Sequence, residues 1–338
     1  MRRSSGNRPK RACQPSFLVV LAVFGLVAAP VRAQVSNAIQ TAQRNFNAGN
    51  YAAAISALQP VATGSSSNAE AYFWLGRSYY EISDYDSSVA QLEKAASLDP
   101  KNSVYQMWLG RAYGGKADRE RSFSLAKKVK KQFQLAVSLN PSNIEARRDL
   151  EQFCLDAPWI VGGNKDEALE QVNAIAAIDP VQGHLARAVY DRLALKKPDE
   201  AENEIRQVLA ADPKTADPYL EAADFFQTMN KPADMSTAIQ AAARVSPNDP
   251  RLAFYRGVAG VLSKANLPDA ERDLKSYLAS TPQRSDWPSH ASARDWLGRL
   301  YEAQGKRAEA AEQYRAALQL DPTLKDAQTR LSRLEKVN

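Results

Sequence analysis

The sequence predicts an all-α protein made of about eight repeated helical hairpins, and two observations support this prediction. Prolines recur at intervals of 33 to 41 residues, at Pro100, Pro141, Pro180, Pro213, Pro247, Pro282 and Pro322 of the 338-residue chain. Near copies of one motif, Trp-Leu-Gly with a tyrosine three residues later, lie at 74–79, 108–113 and 296–301. A fixed period in this range indicates one supersecondary unit that is stacked many times.

Within one unit the apolar spacing is helical. Tyr72, Leu75 and Tyr79 fall on one helix face, and Val89, Leu92 and Ala96 fall on a second. Ser83 and Asp84 mark a turn between the two helices, and Pro100 cannot continue the second helix. We expect the glycine of each motif to let the paired helices approach closely. Each unit is then a helical hairpin with an apolar side that it cannot cover by itself.

This pattern resembles the tetratricopeptide repeat (TPR) of bacterial exported proteins. Residues 69–102 and 291–324 carry the resemblance best, through Leu75, Gly76, Tyr79, Leu92, Ala95 and Pro100 in the first and Leu297, Gly298, Tyr301, Ala310, Tyr314, Ala317 and Pro322 in the second. The resemblance implies a right-handed α-α superhelix, a TPR solenoid over 34–322, with first helices lining a concave groove. Its units lie near 35–68, 69–102, 103–141, 142–180, 181–215, 216–249, 250–282 and 291–322, and 323–338 form a capping helix. We expect each unit to contact only its neighbours.

Residues 1–33 have the layout of a secretory signal peptide. They hold six basic residues and no acid, and Phe17–Ala29 is an apolar run of 13 residues. Small or modest side chains at 31–33 fit a signal peptidase site, so we expect export to the periplasm or beyond the cell. The alternative is an uncleaved membrane anchor, although the run is shorter than the roughly 20 residues that span a bilayer.

The charge and the reactive side chains exclude several function classes. The chain has 44 Lys+Arg and 38 Asp+Glu, and the six basic residues of 1–33 account for the excess. The neutral remainder argues against nucleic-acid binding. His184 and His290 stand in no metal-ligand spacing, and no phosphate-binding loop is present. Cys154 falls on a packing face, which favours an inert thiol over a nucleophile. We therefore expect no enzyme activity, no cofactor and no metal.

The residues of first helices that packing does not use are the candidates for a partner-binding groove. These candidates are Phe73, Arg77, Tyr80, Met107, Arg111, Arg148, Gln152, Asp224, Gln227, Asp295, Arg299 and Glu302. Arg77, Arg111 and Arg299 occupy equivalent places, each directly after the glycine of the motif. Guanidinium groups beside aromatic rings suit a carboxylate, a peptide backbone or an acidic motif. Alternatively, these arginines form solvated pairs with acids such as Glu70 and Glu81.

Two insertions interrupt the period. In the third unit we expect Gly114-Gly115 to end the first helix, followed by an insertion that contains Lys116, Arg119 and Arg121. The next helix carries Lys127, Lys128, Lys130 and Lys131. These lysines form either a basic patch for an anionic partner or lipid head group, or the solvated side of an amphipathic helix.

The second insertion, 155–164, is longer than a turn needs to be, and it places three large apolar residues between a proline and a glycine pair. These residues, Trp159, Ile160 and Val161, either fold back onto the core or form an apolar hook for a partner. Asn164 and Glu167 predict a helix cap that restarts the repeat.

Together these features predict an exported, non-enzymatic scaffold that binds a protein or peptide. One alternative is an envelope assembly factor held in the membrane by an uncleaved N-terminal segment. An enzyme that uses the two insertions is the least favoured hypothesis.

Overall fold

The fold is an all-helical right-handed superhelix. The structure, a computed structural model, describes residues 21–62, 68–280 and 282–336, with side chains from residue 33 onward. Residues 1–20 of the predicted signal segment lie outside the described residues, and α1 includes the backbone of the rest. Among the described residues, no helix combines the length and apolar character that a membrane span requires.

Within the described ranges, first and second helices alternate along the chain. The first helices are α1 (Leu21–Asn47), α3 (Ala69–Glu81), α5 (Ser103–Glu120), α7 (Ile144–Asp156), α9 (Pro180–Tyr190), α11 (Asp217–Thr228), α13 (Arg251–Ser263) and α15 (His290–Ala303). The second helices are α2 (Tyr51–Leu58), α4 (Tyr85–Leu98), α6 (Phe123–Leu139), α8 (Lys165–Ile178), α10 (Pro198–Ala210), α12 (Pro232–Val245), α14 (Leu267–Ser280) and α16 (Arg307–Leu320). The helix α17 (Lys325–Lys336) ends the stack.

Polar side chains start several of these helices. Asn68, Asp84, Asn102 and Asn143 each accept a hydrogen bond from a backbone N–H of the first turn. These acceptors satisfy amide donors that have no partner inside the helix. The predicted cap at Asn164 is confirmed, because its Oδ1 accepts from the N–H groups of Asp166 and Glu167 at 2.9 and 3.2 Å.

The glycine of each motif permits the close helix contact that the sequence predicts. A Cβ atom at Gly76 would lie 2.6 Å from Leu92 Cγ, and one at Gly298 would lie 2.6 Å from the ring of Tyr314. Both distances are far below van der Waals contact, so a larger residue would force the hairpin apart. The two helices of a unit therefore interlock at this point.

The expected end of a helix at Gly114-Gly115 is wrong, because α5 continues through both glycines to Glu120. A Cβ atom at Gly115 would lie 2.4 Å from the ring of Tyr85 on α4. The second glycine thus makes room for a tyrosine of the preceding hairpin while the helix stays intact. The first insertion lengthens α5 and α6 and forms no separate loop.

The C-terminal helix closes the last hairpin. Ala327 is fully buried, and Leu331 and Leu334 pack against the same apolar cluster. On its polar side, Arg330 and Arg333 both pair with Glu302 of α15. The helix is therefore held by apolar packing and by charge together.

The superhelix also closes on itself, contrary to the expectation that hairpins contact only their neighbours. The loop between α14 and α15 reaches the second hairpin, where the N–H and Oγ of Ser285 donate to the Glu81 carboxylate at 2.8 and 2.9 Å. The Tyr51 hydroxyl donates to the Gln283 carbonyl at 2.9 Å. We call residues 282–287 the strap. It joins parts of the chain that lie more than 200 residues apart in sequence.

Candidate binding groove

First helices face one another across the interior of the superhelix. The clearest example is Arg148 on α7, whose Nη2 lies 2.8 Å from Glu221 Oε2 on α11, 73 residues away. Arg148 also donates to Gln182 of α9 at 3.3 Å. A side chain of one first helix therefore bridges the next two first helices, and this side of the stack is concave.

Two of the expected groove residues belong to the core instead. Phe73 is 7% exposed and stacks on Tyr105 with ring centroids 4.7 Å apart, and Met107 is 2% exposed. Both side chains lie in the seam between the second and third hairpins. Packing between hairpins therefore buries side chains that the repeat pattern leaves for the groove.

Two of the three equivalent arginines pair with acids, Arg111 with acids of α7 and Arg299 with acids of α15 and α17. Arg111 Nε lies 2.6 Å from Asp149 Oδ2 on α7, and its Nη2 lies 3.3 Å from Glu145. Burial would lower the pKa of Arg111, but Asp149 raises it above its usual value. Arg299 pairs with Asp295 at 2.8 Å and with Asp326 at 2.9 Å. These pairs fit the alternative that the arginines are paired with acids, although the acids are not Glu70 and Glu81.

Arg77 differs from both, because it is surrounded by aromatic rings. Its guanidinium carbon lies 4.2 Å from the ring centroid of Trp108, 4.6 Å from Phe46 and 4.9 Å from Trp74. Its Nε is buried and has no hydrogen-bond acceptor among the described residues. Burial, the largest effect, lowers the pKa of Arg77 to about 10, so the side chain stays charged at neutral pH. A buried donor without an acceptor costs about 1–3 kcal/mol.

The indole of Trp108 connects the two inner arginines. Arg77 lies 4.2 Å and Arg111 lies 4.7 Å from the centroid of this ring. Tyr80 meets the same ring edge to face at 5.6 Å. Burial raises the pKa of Tyr80 to about 12, so its hydroxyl remains protonated. The second and third first helices thus place two guanidinium groups and a tyrosine around the buried Trp108 ring on their inner surface.

Next to this surface lies a cavity of about 740 Å³ between α5, α6, α7 and the second insertion. Its apolar lining includes Val129, Phe133, Phe153, Pro158 and Val161. Polar side chains of the lining are Arg111, Arg121, Asp149, Gln152 and Asp156. Gln152, an expected groove residue, donates to Asp156 at 2.5 Å and so lies at this cavity. The volume and the mixed lining suit one or two side chains of a peptide.

The second insertion forms a short, internally bonded loop. Trp159–Val161 is one turn of 3₁₀-helix, Gly163 N–H donates to the Pro158 carbonyl at 3.1 Å, and Lys130 Nζ donates to the Gly162 carbonyl at 2.6 Å. A Cβ atom at Gly163 would lie 1.8 Å from the Ala157 carbonyl oxygen. The loop is therefore held tightly at both ends.

This loop divides its three apolar residues between the core and the solvent. Val161 is buried, whereas Trp159 is 84% exposed and Ile160 is 53% exposed. The account in which all three fold back onto the core is thus wrong for Trp159 and Ile160. Phe123, at the start of α6, lines the neighbouring cavity and is also exposed.

The basic residues of the first insertion have mainly local partners. Lys116 and Arg119 both lie 2.6 Å from Asp86 of α4. Lys130 pairs with Glu167 at 2.6 Å as well as holding the loop, so it is not part of a free basic patch. Arg121 has no partner among the described residues and lines the cavity. The structure therefore brings Arg121 to the groove, and ties Lys116 and Arg119 to the second hairpin.

Two aromatic residues that lie against guanidinium groups were missed by the sequence reasoning. Trp287 in the strap lies under two guanidinium groups, those of Arg284 at 4.8 Å and Arg251 at 5.5 Å. A tryptophan between Ser-Asp and Pro-Ser in a connection was the available signal. Phe46 on α1 contributes to the surroundings of Arg77, and no repeat position marked it.

Reactive chemistry is sparse in the described part of the chain. No group of His, Cys, Asp and Glu side chains there has the geometry to hold a metal ion. Cys154 is free and buried, and burial, with Glu167 as a smaller influence, raises the pKa of its thiol to about 12. The thiolate that nucleophilic chemistry requires is therefore suppressed.

Comparison with known proteins identifies the repeat. Tetratricopeptide repeat models match residues 40–103, 75–118 and 291–324. No curated protein matches the sequence.

Several solved structures are similar at low sequence identity. A tetratricopeptide repeat protein from Parabacteroides merdae has a TM-score of 0.49 at 16% identity, over 79% of this chain and 98% of that one. The Cut9–Hcn1 hetero-tetramer structure of the APC/C has a TM-score of 0.50 at 12% identity, over 87% of this chain and 54% of that one. The structure of MamA has a TM-score of 0.40 at 20% identity, over 50% of this chain and 92% of that one. The Cut9–Hcn1 match supports the helical superhelix as the fold of this chain, and this chain spans about half the length of that neighbour.

Proposed function

We propose that this chain, which is a tetratricopeptide repeat protein, is a non-enzymatic scaffold that binds a protein or peptide partner on its concave side. The observation that carries the proposal is the rigid second insertion, which holds Trp159 in solvent beside a cavity of about 740 Å³. Fold analogy by itself does not assign a function, since one scaffold hosts many binding roles.

The chemistry of the site fits a polypeptide. An exposed tryptophan next to a pocket is typical of residues that contribute most to protein–protein binding. The cavity offers apolar surface from Phe133, Phe153 and Val161 together with hydrogen-bonding groups such as Gln152 and Arg121. Such a lining can hold an apolar side chain and bond the backbone beside it.

Partner capture tests the proposal. Tagged wild type, Trp159→Ala and Leu320→Ala are crosslinked in cells, and each recovered protein is then measured against the purified chain. Leu320 is a matched control, since it is an apolar side chain on α16 that is 50% exposed and is distant in sequence from the residues that line the cavity. We expect Trp159→Ala to weaken one partner at least tenfold, the loss expected of a hot-spot tryptophan, and Leu320→Ala to leave it unchanged. Equal recovery from all three variants, or a wild type that stays monomeric without partners, contradicts the proposal.

We further propose that the scaffold works outside the cytoplasm, in the periplasm or beyond the cell. The support is the basic segment before the apolar run Phe17–Ala29 and the small residues that follow. Mass spectrometry of the native N-terminus tests this: a chain beginning at Gln34 is the expected result. A chain that keeps residues 1–33 in the membrane fraction favours an anchored assembly factor instead.

A further inference from the structure

We infer that a second cavity, near the C-terminal end of the superhelix, binds an uncharged ligand that carries several hydroxyl groups, which is the chemistry of a saccharide. The cavity has a volume of about 670 Å³ and lies between α11, α13, α15 and the start of α17. It shares no lining residue with the cavity beside the second insertion. The inference therefore goes beyond the proposed function and does not depend on it.

The first argument is that two buried acceptors in this cavity have no donor. Asp295 on α15 is 6% exposed, and its Oδ2 accepts from Arg299 Nε at 2.8 Å. Its Oδ1 is buried without a hydrogen-bond partner in the part of the chain that the structure describes, and the same holds for Oε1 of Gln227 on α11. Both residues line the cavity. Because buried acceptors without donors lower the stability of a folded chain, this pair indicates a ligand that donates to both.

The second argument is that the lining also offers donors. The hydroxyl of Ser292 and the carboxamide of Asn230 both line the cavity and can donate hydrogen bonds. A hydroxyl group donates and accepts, so neighbouring hydroxyls on one small ring serve several acceptors and donors at once. A peptide backbone offers a single N–H per residue in a fixed direction. A compact ligand with several hydroxyls therefore satisfies this cavity better than a peptide does.

The third argument concerns charge. Arg299 pairs with both carboxylates of the lining, Asp295 at 2.8 Å and Asp326 at 2.9 Å, and Lys325 is the second cation of the lining. Two cations thus balance two carboxylates. A charged ligand would be repelled by one of these two sets and would compete with the pairs that Arg299 already forms. An uncharged ligand leaves them intact.

The remaining wall and the size of the cavity fit the same ligand. Leu262, Trp296 and Leu324 provide apolar surface. A sugar ring carries C–H groups between its hydroxyls, and these groups can pack against such a wall. The volume lies within the usual range of small-molecule sites.

Saturation-transfer difference NMR on the purified full chain tests the inference. The saccharide probes are glucose, galactose, mannose and N-acetylglucosamine. The competing probes are N-acetylglycine N-methylamide for a peptide backbone, butylammonium for a cation and propionate for an anion. We expect saturable transfer to at least one saccharide and weaker transfer to the three competing probes. No transfer to any of the saccharides, or stronger transfer to a competing probe, overturns the inference.

A matched pair of variants places the binding in this cavity. Gln227→Leu removes one of the two acceptors, and Gln132→Leu removes a buried acceptor on α6 that also lacks a donor among the described residues. We expect Gln227→Leu to weaken saccharide binding about tenfold and Gln132→Leu to leave it unchanged. Neither variant should lower the midpoint of thermal unfolding, since each loses an acceptor that has no donor in the chain itself.

Equal saccharide binding by wild type and Gln227→Leu contradicts the assignment to this cavity. Ser292→Ala, which removes a donor from the same lining, repeats the test with a smaller change if Gln227→Leu does not fold. The two proposals fail separately: partner capture through Trp159 can fail while a saccharide binds, and a partner can be captured by a chain that binds no saccharide.

Discussion

At the scale of single residues, the interior of the superhelix shows how burial and charge compete. Glu151 on α7 is buried, and its Oε1 has no hydrogen-bond partner among the described residues. Burial raises the pKa of Glu151 to about 8, Arg148 opposes this shift and Glu221 adds to it. The side chain is therefore mainly protonated in the folded chain near neutral pH.

This protonation predicts a loss of stability with rising pH. The pKa of Glu151 is about 8 in the folded chain, and its ordinary value is 4.5. The protonated side chain therefore contributes fully to stability below about pH 4.5, and this contribution is lost as the pH rises towards 8. We expect Glu151→Gln to be more stable than the wild type by roughly 2–5 kcal/mol at pH 8, and by much less at pH 5. Urea unfolding followed by circular dichroism at both pH values measures this difference. The exposed Glu145→Gln, on the same helix, is the control, and a pH-independent gain for Glu151→Gln contradicts the prediction.

The residue scale also shows where sequence reasoning ends. The motif glycines and the apolar faces of the hairpins were predictable, because each reflects a contact inside one repeat. The surroundings of Arg77 were not, since Phe46 and Trp108 come from the hairpins on either side. A pattern within one unit carries no information about which side chains of three units meet.

At the scale of elements, two glycine pairs of similar sequence have opposite roles. Gly114-Gly115 lies inside a continuous helix, whereas Gly162-Gly163 ends a one-turn helix, with Gly162 at a φ of 113°. The sequence alone favoured a break at both pairs. Tertiary packing decides the matter: Tyr85 fills the space beside Gly115, and the Ala157 carbonyl fills the space beside Gly163.

This contrast gives a matched pair of substitutions. Gly163→Ala places a Cβ atom 1.8 Å from the Ala157 carbonyl oxygen, a backbone atom that cannot rotate away. We expect this substitution to lower the free energy of unfolding by about 1–3 kcal/mol and to displace Trp159. In Gly114→Ala the atom nearest to the added Cβ is Val129 Cγ2 at 4.0 Å, so the substitution meets no clash. Because alanine is the better helix former, we expect the free energy of unfolding to rise by about 0.5–1 kcal/mol.

Thermal unfolding measures the change in stability of each variant, and the fluorescence emission maximum of Trp159 reports whether this side chain is displaced. The emission is recorded in variants in which no other tryptophan is exposed. If Gly163→Ala is as stable as the wild type, the loop is less tightly held than its hydrogen bonds indicate.

At the scale of the whole molecule, the strap links the seventh hairpin to the first two. Glu81→Ala removes both acceptors of Ser285, while the Tyr51 hydroxyl bond to Gln283 remains. We expect faster hydrogen exchange at the Ser285 amide, by about tenfold or more, and a larger radius of gyration in X-ray scattering. Glu70→Ala on the same helix is the control. Unchanged exchange at Ser285 shows that the strap is held by other contacts.

The strap also explains the failed expectation of strictly local contacts. Nothing in a repeat pattern indicates that a connection after Pro282 will meet a glycine and a carboxylate more than 200 residues earlier. The meeting depends on the accumulated rotation of seven hairpins, a quantity to which every small packing angle contributes. The number of repeats could be predicted from the sequence, whereas the completion of one superhelical turn could not.

Because the strap bonds the loop after the seventh hairpin to the first two hairpins, this turn of the superhelix is closed by the Ser285 and Tyr51 hydrogen bonds. Detaching these two bonds separates hairpins that are distant in sequence, while the contacts inside each hairpin stay intact.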